Sequence, residues 1–194
     1  MKKINRATNK ERGFTLVELM VATTIFVVVV ISSIGSLLVL LGASKDSRGL
    51  RFAMDNVNFA MESMTRSIRM GINYYCNGTP ADNSSTNDCL NGGTSISFVP
   101  QANTSNPRAT YKLHSRDGSV NNYTIKRCIG TSDSSCVDIV SSDIKINTLR
   151  FYVSGSHPLD SKQAKVYILL KGTVTVKDKD SSFMIQTLAS QRNY

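Results

Sequence analysis

The chain has 194 residues and 21.3 kDa, enough for one domain of ordinary size with an appendage and too little for two domains with separate cores. At 41% hydrophobic and 19% charged residues it is neither a disordered polyelectrolyte nor a polytopic membrane protein. The formal charge of +9 falls to +5 (18 basic against 13 acidic side chains) without the first thirteen residues, where Lys2, Lys3, Arg6, Lys10 and Arg12 face Glu11 alone; the remainder describes a mildly basic soluble surface rather than a nucleic-acid-binding face.

Phe14 to Ala43 is a run of 30 residues with one charge, Glu18. As a helix it would be about 45 Å long, where about 20 residues cross a bilayer core. Gly42-Ala43-Ser44 offers a small-x-small site for signal peptidase, with the cut after Ser44. A secretory apolar region is only about 7–15 residues, so the length favours a retained segment. The basic cluster before the run places the N-terminus in the cytoplasm and the rest of the chain outside it.

Glu18 is anomalous, because a central carboxylate in a membrane segment costs roughly 2.5–3.5 kcal/mol. Near one end it costs less, and snorkelling to the interface would account for it. The alternative is a positive partner inside an apolar assembly. A cut after Gly13 would free an α-amine on Phe14, four residues before Glu18. In a staggered stack of helices that amine could meet Glu18 of a neighbouring subunit. Such a pair adds little net stability but specifies register.

The run Arg12-Gly13-Phe14-Thr15-Leu16-Val17-Glu18 resembles the class III signal of type IV prepilins and type II secretion pseudopilins. The match comprises a short basic leader ending in Gly, then Phe, Glu at the fifth mature position and a long apolar helix, over about the first 45 residues. The resemblance implies cleavage between Gly13 and Phe14 by prepilin peptidase, N-methylation of Phe14, Glu18 as the assembly carboxylate, and polymerisation through the apolar helix.

The helical pattern continues through Leu50, Ala53, Met54, Val57, Met61, Met64 and Ile68, one face of an amphipathic helix that ends at Gly71. Arg51/Asp55 and Glu62/Arg66 are i,i+4 pairs on the other side, each worth tenths of a kcal/mol. Phe52 and Phe59 fall among these charges, covered either by a loop of the same subunit or by an adjacent one.

Asn73 to Gly93 has loop composition. The period then changes to two, predicting strands at Thr94–Val99, Ala109–His114 and Asn121–Ile129, with a turn at Asp117-Gly118. Ile144, Ile146, Leu149, Phe151 and Val153 alternate with a slip near Asn147 that predicts a bulge or break. Gly155 to Gln163 reads as a loop, Val166 to Val176 as a strand, Lys177 to Ser181 as a turn, and Phe183 to Thr187 as the last strand. Strands without intervening helices favour an antiparallel sheet.

The expected fold is therefore α+β: a leader at 1–13, a transmembrane or filament-core helix at 14–43, an amphipathic helix at 44–72, and a loop plus antiparallel sheet head at 73–194. The resemblance implies the same pilin-like layout.

Cys76, Cys89, Cys128 and Cys136 allow three disulfide connectivities. Nearest-neighbour pairing would close two short polar loops, each contributing about 2–3 kcal/mol. The rivals are free thiols or a metal-bound set; without a CxxC or a nearby His, zinc is disfavoured, and no metal or cofactor is expected. His114 and His157 lie apart and no GxSxG occurs, so an enzyme is not expected. Asp178 to Ser181 and the stretch from Asp82-Asn83 to Asn87-Asp88 carry oxygen ligands without EF-hand spacing, and turns use the same residues. Few aromatics leave the head without an evident stacking platform for nucleic acid.

The C-terminal half, with its Leu149-Arg150-Phe151-Tyr152-Val153-Ser154-Gly155 stretch and its Gln186 to Asn193 ending, is similar to minor pilins and minor pseudopilins whose heads sit at a filament tip. The leading expectation is a minor pilin of a type IV pilus-like filament. The alternatives are a minor pseudopilin of a type II secretion system and a single-pass anchored extracytoplasmic binding protein that never polymerises. Expected partners are other pilin or pseudopilin subunits, prepilin peptidase and the inner membrane.

Overall fold

The computed structural model describes residues 13–100, 107–120, 122–157, 159, 161–176 and 179–192. The leader before Gly13, Asn121, the Lys177-Asp178 part of the last turn and Asn193-Tyr194 lie outside them. The chain divides into two compact units, Met1–Lys45 and Asp46–Tyr194, and one helix, α1 (Leu16–Arg69), contributes to both.

In the first unit, α1 begins on a cap. Thr15 Oγ1 accepts the Glu18 backbone N–H at 3.2 Å, and Glu18 sits in the first turn, where the helix dipole favours a carboxylate. Thr15-Leu16-Val17-Glu18 thus has the spacing of a capping box. Four of the hydroxyls that follow are satisfied within the helix. Thr23 and Thr24 hydroxyls donate to the carbonyls of Met20 and Val21, and Ser32 and Ser33 to those of Val28 and Val29. Hydroxyls engaged in this way place no polar demand of their own on an apolar surrounding. Apart from half-buried Val30, the large apolar side chains from Leu16 to Leu41 are exposed within the chain, and α1 is long and apolar enough to cross a membrane.

In the second unit, the face of α1 bearing Ala53, Val57, Ala60, Met61, Met64 and Ile68 is buried. It packs in one core with inward side chains of a nine-stranded sheet, including Tyr74, Phe98, Tyr111, Leu149, Phe151, Ile168 and Leu170. The strands are β1 (Gly71–Cys76), β2 (Cys89–Gly93), β3 (Ser95–Pro100), β4 (Ala109–Ser115), β5 (Tyr123–Ile129), β6 (Val137–Asp138), β7 (Ile144–Ser154), β8 (Lys165–Val176) and β9 (Lys179–Ser190). Their order is β1-β3-β4-β5-β7-β8-β9, with β2 on β7 and β6 on β5. Every ladder is antiparallel, so the fold is α+β with one long N-terminal helix.

The helix ends at Arg69 because its last carbonyls find partners there. The Tyr74 hydroxyl lies 2.7 Å from both the Ile68 and Gly71 carbonyl oxygens, and the Arg192 N–H donates to the Arg69 carbonyl at 2.9 Å. Gly71 lets the chain turn under Phe98, whose ring occupies the space a Cβ would need. Gly71 and Ile72, inside the amphipathic segment expected over 44–72, therefore belong to β1.

The slip near Asn147 is a register shift between Ile146 and Thr148 in the β7–β8 ladder. Gly172 sits opposite it, where an added Cβ would meet Phe183 Cζ at 2.6 Å and the Lys145 carbonyl at 2.7 Å. Two expectations are corrected. Asn73 to Gly93 is not all loop, because Gly71–Cys76 pairs with β3 and Cys89–Gly93 with β7. Lys179 to Ser181 is not a turn, because β9 starts at Lys179 opposite Val176.

Candidate functional site

Three groups of side chains could carry interaction chemistry. The first is the N-terminal segment. Gly13, Phe14 and Glu18 are all exposed, Phe14 at 83%. Among the described residues nothing lies within 4 Å of where a Gly13 Cβ would stand. Glu18 projects from a capped first turn.

The second is the polar side of α1 in the head unit. Phe52 and Phe59 are 70% and 72% exposed, so no described loop of the chain covers them. Seven residues apart, they lie on one side of the helix two turns from each other. Of the i,i+4 pairs, Glu62–Arg66 is formed at 3.3 Å, and Phe59, Glu62, Ser63 and Arg66 line a shallow depression.

The third is the sheet face turned away from α1. Its β1–β3–β4 part is overlaid by the 77–88 segment, which Arg108 fastens. Arg108 is 3% exposed; its Nε donates to Ser97 Oγ at 3.0 Å and its Nη1 to the Asp82 carbonyl at 3.1 Å. Nη2 donates to the Asn73 carbonyl. Burial pushes the Arg108 pKa down, offset by the charge of Asp82. Asp82 in turn is held below the usual carboxylate range, first by the Ser85 hydroxyl at 2.8 Å and then by the Ser85 N–H at 3.1 Å. The disulfide Cys76–Cys89 closes the segment, and Cys128–Cys136 closes the polar turn after β5. Of the three connectivities, the structure has the nearest-neighbour one.

The described acidic and amide side chains of the oxygen-rich stretches are engaged within the chain. Asp82 is spent on Ser84 and Ser85, and Asn87 donates to the Cys76 carbonyl. Asp88 accepts the N–H groups of Gly155 and Ser156 at 2.9 and 3.0 Å. Asp180 accepts the Thr175 hydroxyl at 2.6 Å. Cys128, Asp133 and Cys136 converge, but the two sulfurs are bonded to each other and Asp133 pairs with Lys112 at 2.6 Å.

Sequence reasoning missed Arg108, which has no motif around it. It also missed a pairing on the uncovered β7–β8 part of the outer face, where the Tyr152 and Tyr167 rings meet at 5.7 Å. The one available signal was their shared outward parity in two neighbouring strands.

Residues 8–34 match the family described as the prokaryotic N-terminal methylation motif. No curated protein and no solved structure matches the chain. The matched segment contains Gly13, Phe14 and Glu18 and runs into the apolar half of α1, giving the chain a type IV pilin-type N-terminal signal.

Proposed function

We propose that the chain is a structural subunit, of the minor pilin type, of a type IV pilus-like filament. It is inserted with its N-terminus in the cytoplasm, cut by prepilin peptidase between Gly13 and Phe14, methylated on Phe14 and assembled through the apolar half of α1. The observation that carries this reading is the methylation-motif match over residues 8–34 leading directly into a helix whose apolar side chains are exposed all round. A surface of that size must be covered by lipid before assembly and by neighbouring helices after it. Glu18 takes the α-ammonium of an adjacent Phe14, and Phe52 and Phe59 pack on a neighbouring head. The oxidised Cys76–Cys89 and Cys128–Cys136 pairs accord with a head exported from the cytoplasm. The size of the sheet favours a minor subunit. The role is mechanical, with no catalytic step.

Gly13→Leu tests the maturation step. The peptidase must accommodate the residue before the cut, and the open surroundings of Gly13 allow the substitution without loss of fold. The expected result is accumulation of the uncut precursor in the membrane, visible as a mass larger by the thirteen-residue leader, and none in sheared filaments. Normal processing of the variant would contradict the peptidase assignment.

A further inference from the structure

The uncovered part of the outer sheet face has a charge pattern that the proposed assembly through the apolar half of α1 does not require. Across β7 and β8 the outward side chains fall in rows: Lys145 level with Thr173, Thr148 with Lys171, Arg150 with Leu169, Tyr152 with Tyr167, and Ser154 with Lys165. Lys145, Lys171, Arg150 and Lys165 are all exposed and none forms an ion pair among the described residues. They lie along one ladder from Lys165 to Thr173 of β8, eight residue steps or about 27 Å at a strand's rise per residue. The Tyr152–Tyr167 pair sits in the same line, between Arg150 and Lys165. No Asp or Glu faces outward from β7 or β8. Beyond the two ends stand Asp180, engaged by Thr175, Asp143, exposed one residue before β7, and Asp88, engaged by Gly155 and Ser156.

A row of cations suits a linear polyanion better than a membrane plane. An aromatic pair inside the row suits a polymer carrying flat rings as well as charge. Nucleic acid supplies both, with phosphates as strong acceptors for Arg and Lys and bases that stack on tyrosine. The face is a sheet with no element projecting to enter a groove, and duplex bases are hidden from such a surface, so the single-stranded form fits. We propose that the outer face of β7 and β8 binds single-stranded nucleic acid, with phosphates on Lys145, Lys171, Arg150 and Lys165 and bases on Tyr152 and Tyr167. This holds whether or not the chain polymerises.

The test is fluorescence anisotropy of a labelled oligothymidylate of about 20 nucleotides against the full chain in detergent micelles. The N-terminal basic cluster binds polyanions too, so the readout is the difference between variants that share it. Neutralising Lys145, Arg150 and Lys171 together to Gln should weaken binding at least about 10-fold at low salt. It should also reduce the slope of log K against log salt by about 2, at about 0.7 per phosphate contact. Tyr152→Leu with Tyr167→Leu should weaken binding about 10-fold and leave that slope unchanged, while Phe at both positions keeps the rings and the affinity. An unchanged melting temperature in each variant checks that the fold is intact. Unchanged affinity and slope in the Gln variant would overturn the proposal, locating binding on the N-terminal cluster. Equal displacement by polygalacturonate at the same charge concentration, or equal affinity for a duplex of the same length, would overturn it as well.

Discussion

Glu18→Ala should leave the protein in the membrane at normal abundance and reduce its incorporation into filaments at least about 100-fold. The helix survives the change. The cap at Thr15 uses the backbone N–H of residue 18, which alanine keeps, and losing a carboxylate near the dipole costs only about 0.3–1 kcal/mol. Insertion is eased rather than hindered, since a charge leaves the apolar segment. The penalty falls on assembly, where the Phe14 ammonium of a neighbour would stand in an apolar core without its partner. Breaking one side of a buried pair costs about 3–5 kcal/mol, or a few hundredfold and upward per contact. Quantitative immunoblotting of membrane and sheared-filament fractions measures this ratio directly. An unchanged ratio would reduce the helix to an anchor and favour a binding protein that never polymerises.

Arg108→Ala should be the most damaging single change in the head outside its apolar core. The side chain is buried, and its guanidinium holds carbonyls from Asn73 and Asp82 together with the Ser97 hydroxyl. Truncation strands those acceptors beneath the 77–88 segment, at a cost of about 3 kcal/mol for hydrogen bonds to a charged group. For a unit of this size that is a fall of about 6–12 °C in melting temperature. Lysine restores the charge but not the planar fork that reaches three directions, so Arg108→Lys should recover less than half of the loss. The loop stays tethered through Cys76–Cys89, so the expected phenotype is a lower transition with the sheet intact, followed by tyrosine near-ultraviolet dichroism. A melting temperature within about 1–2 °C of wild type would mean that water replaces the guanidinium at no cost.

The elements legible in the sequence are those where one periodicity dominates. The helix is written twice, as an apolar run and as the stripe from Leu50 to Ile68, and both are found in α1. β4, β5, β7 and β8 alternate over seven to twelve residues, and even the slip at Asn147 marks a true irregularity. β1, β2 and β6 escape because tertiary pairing, not pattern, makes them strands. Gly71–Cys76 borders Asn- and Gly-rich loop sequence, and Cys89–Gly93 carries two glycines; each extends because β3 or β7 offers a free ladder edge. The signal around Gly13, Phe14 and Glu18 is readable because its chemistry is local in the chain. Arg108 and the Tyr152–Tyr167 pair are not, since they acquire meaning only when strands distant in sequence become neighbours.

The mass of the N-terminal peptide from the native protein tests the central claim most directly. Processing at the Gly13–Phe14 bond predicts a chain that begins with Phe14 and carries one extra methyl group on its α-amine. A chain that retains Met1 and the basic leader, or one that begins at Lys45 after removal of the whole apolar run, would contradict it.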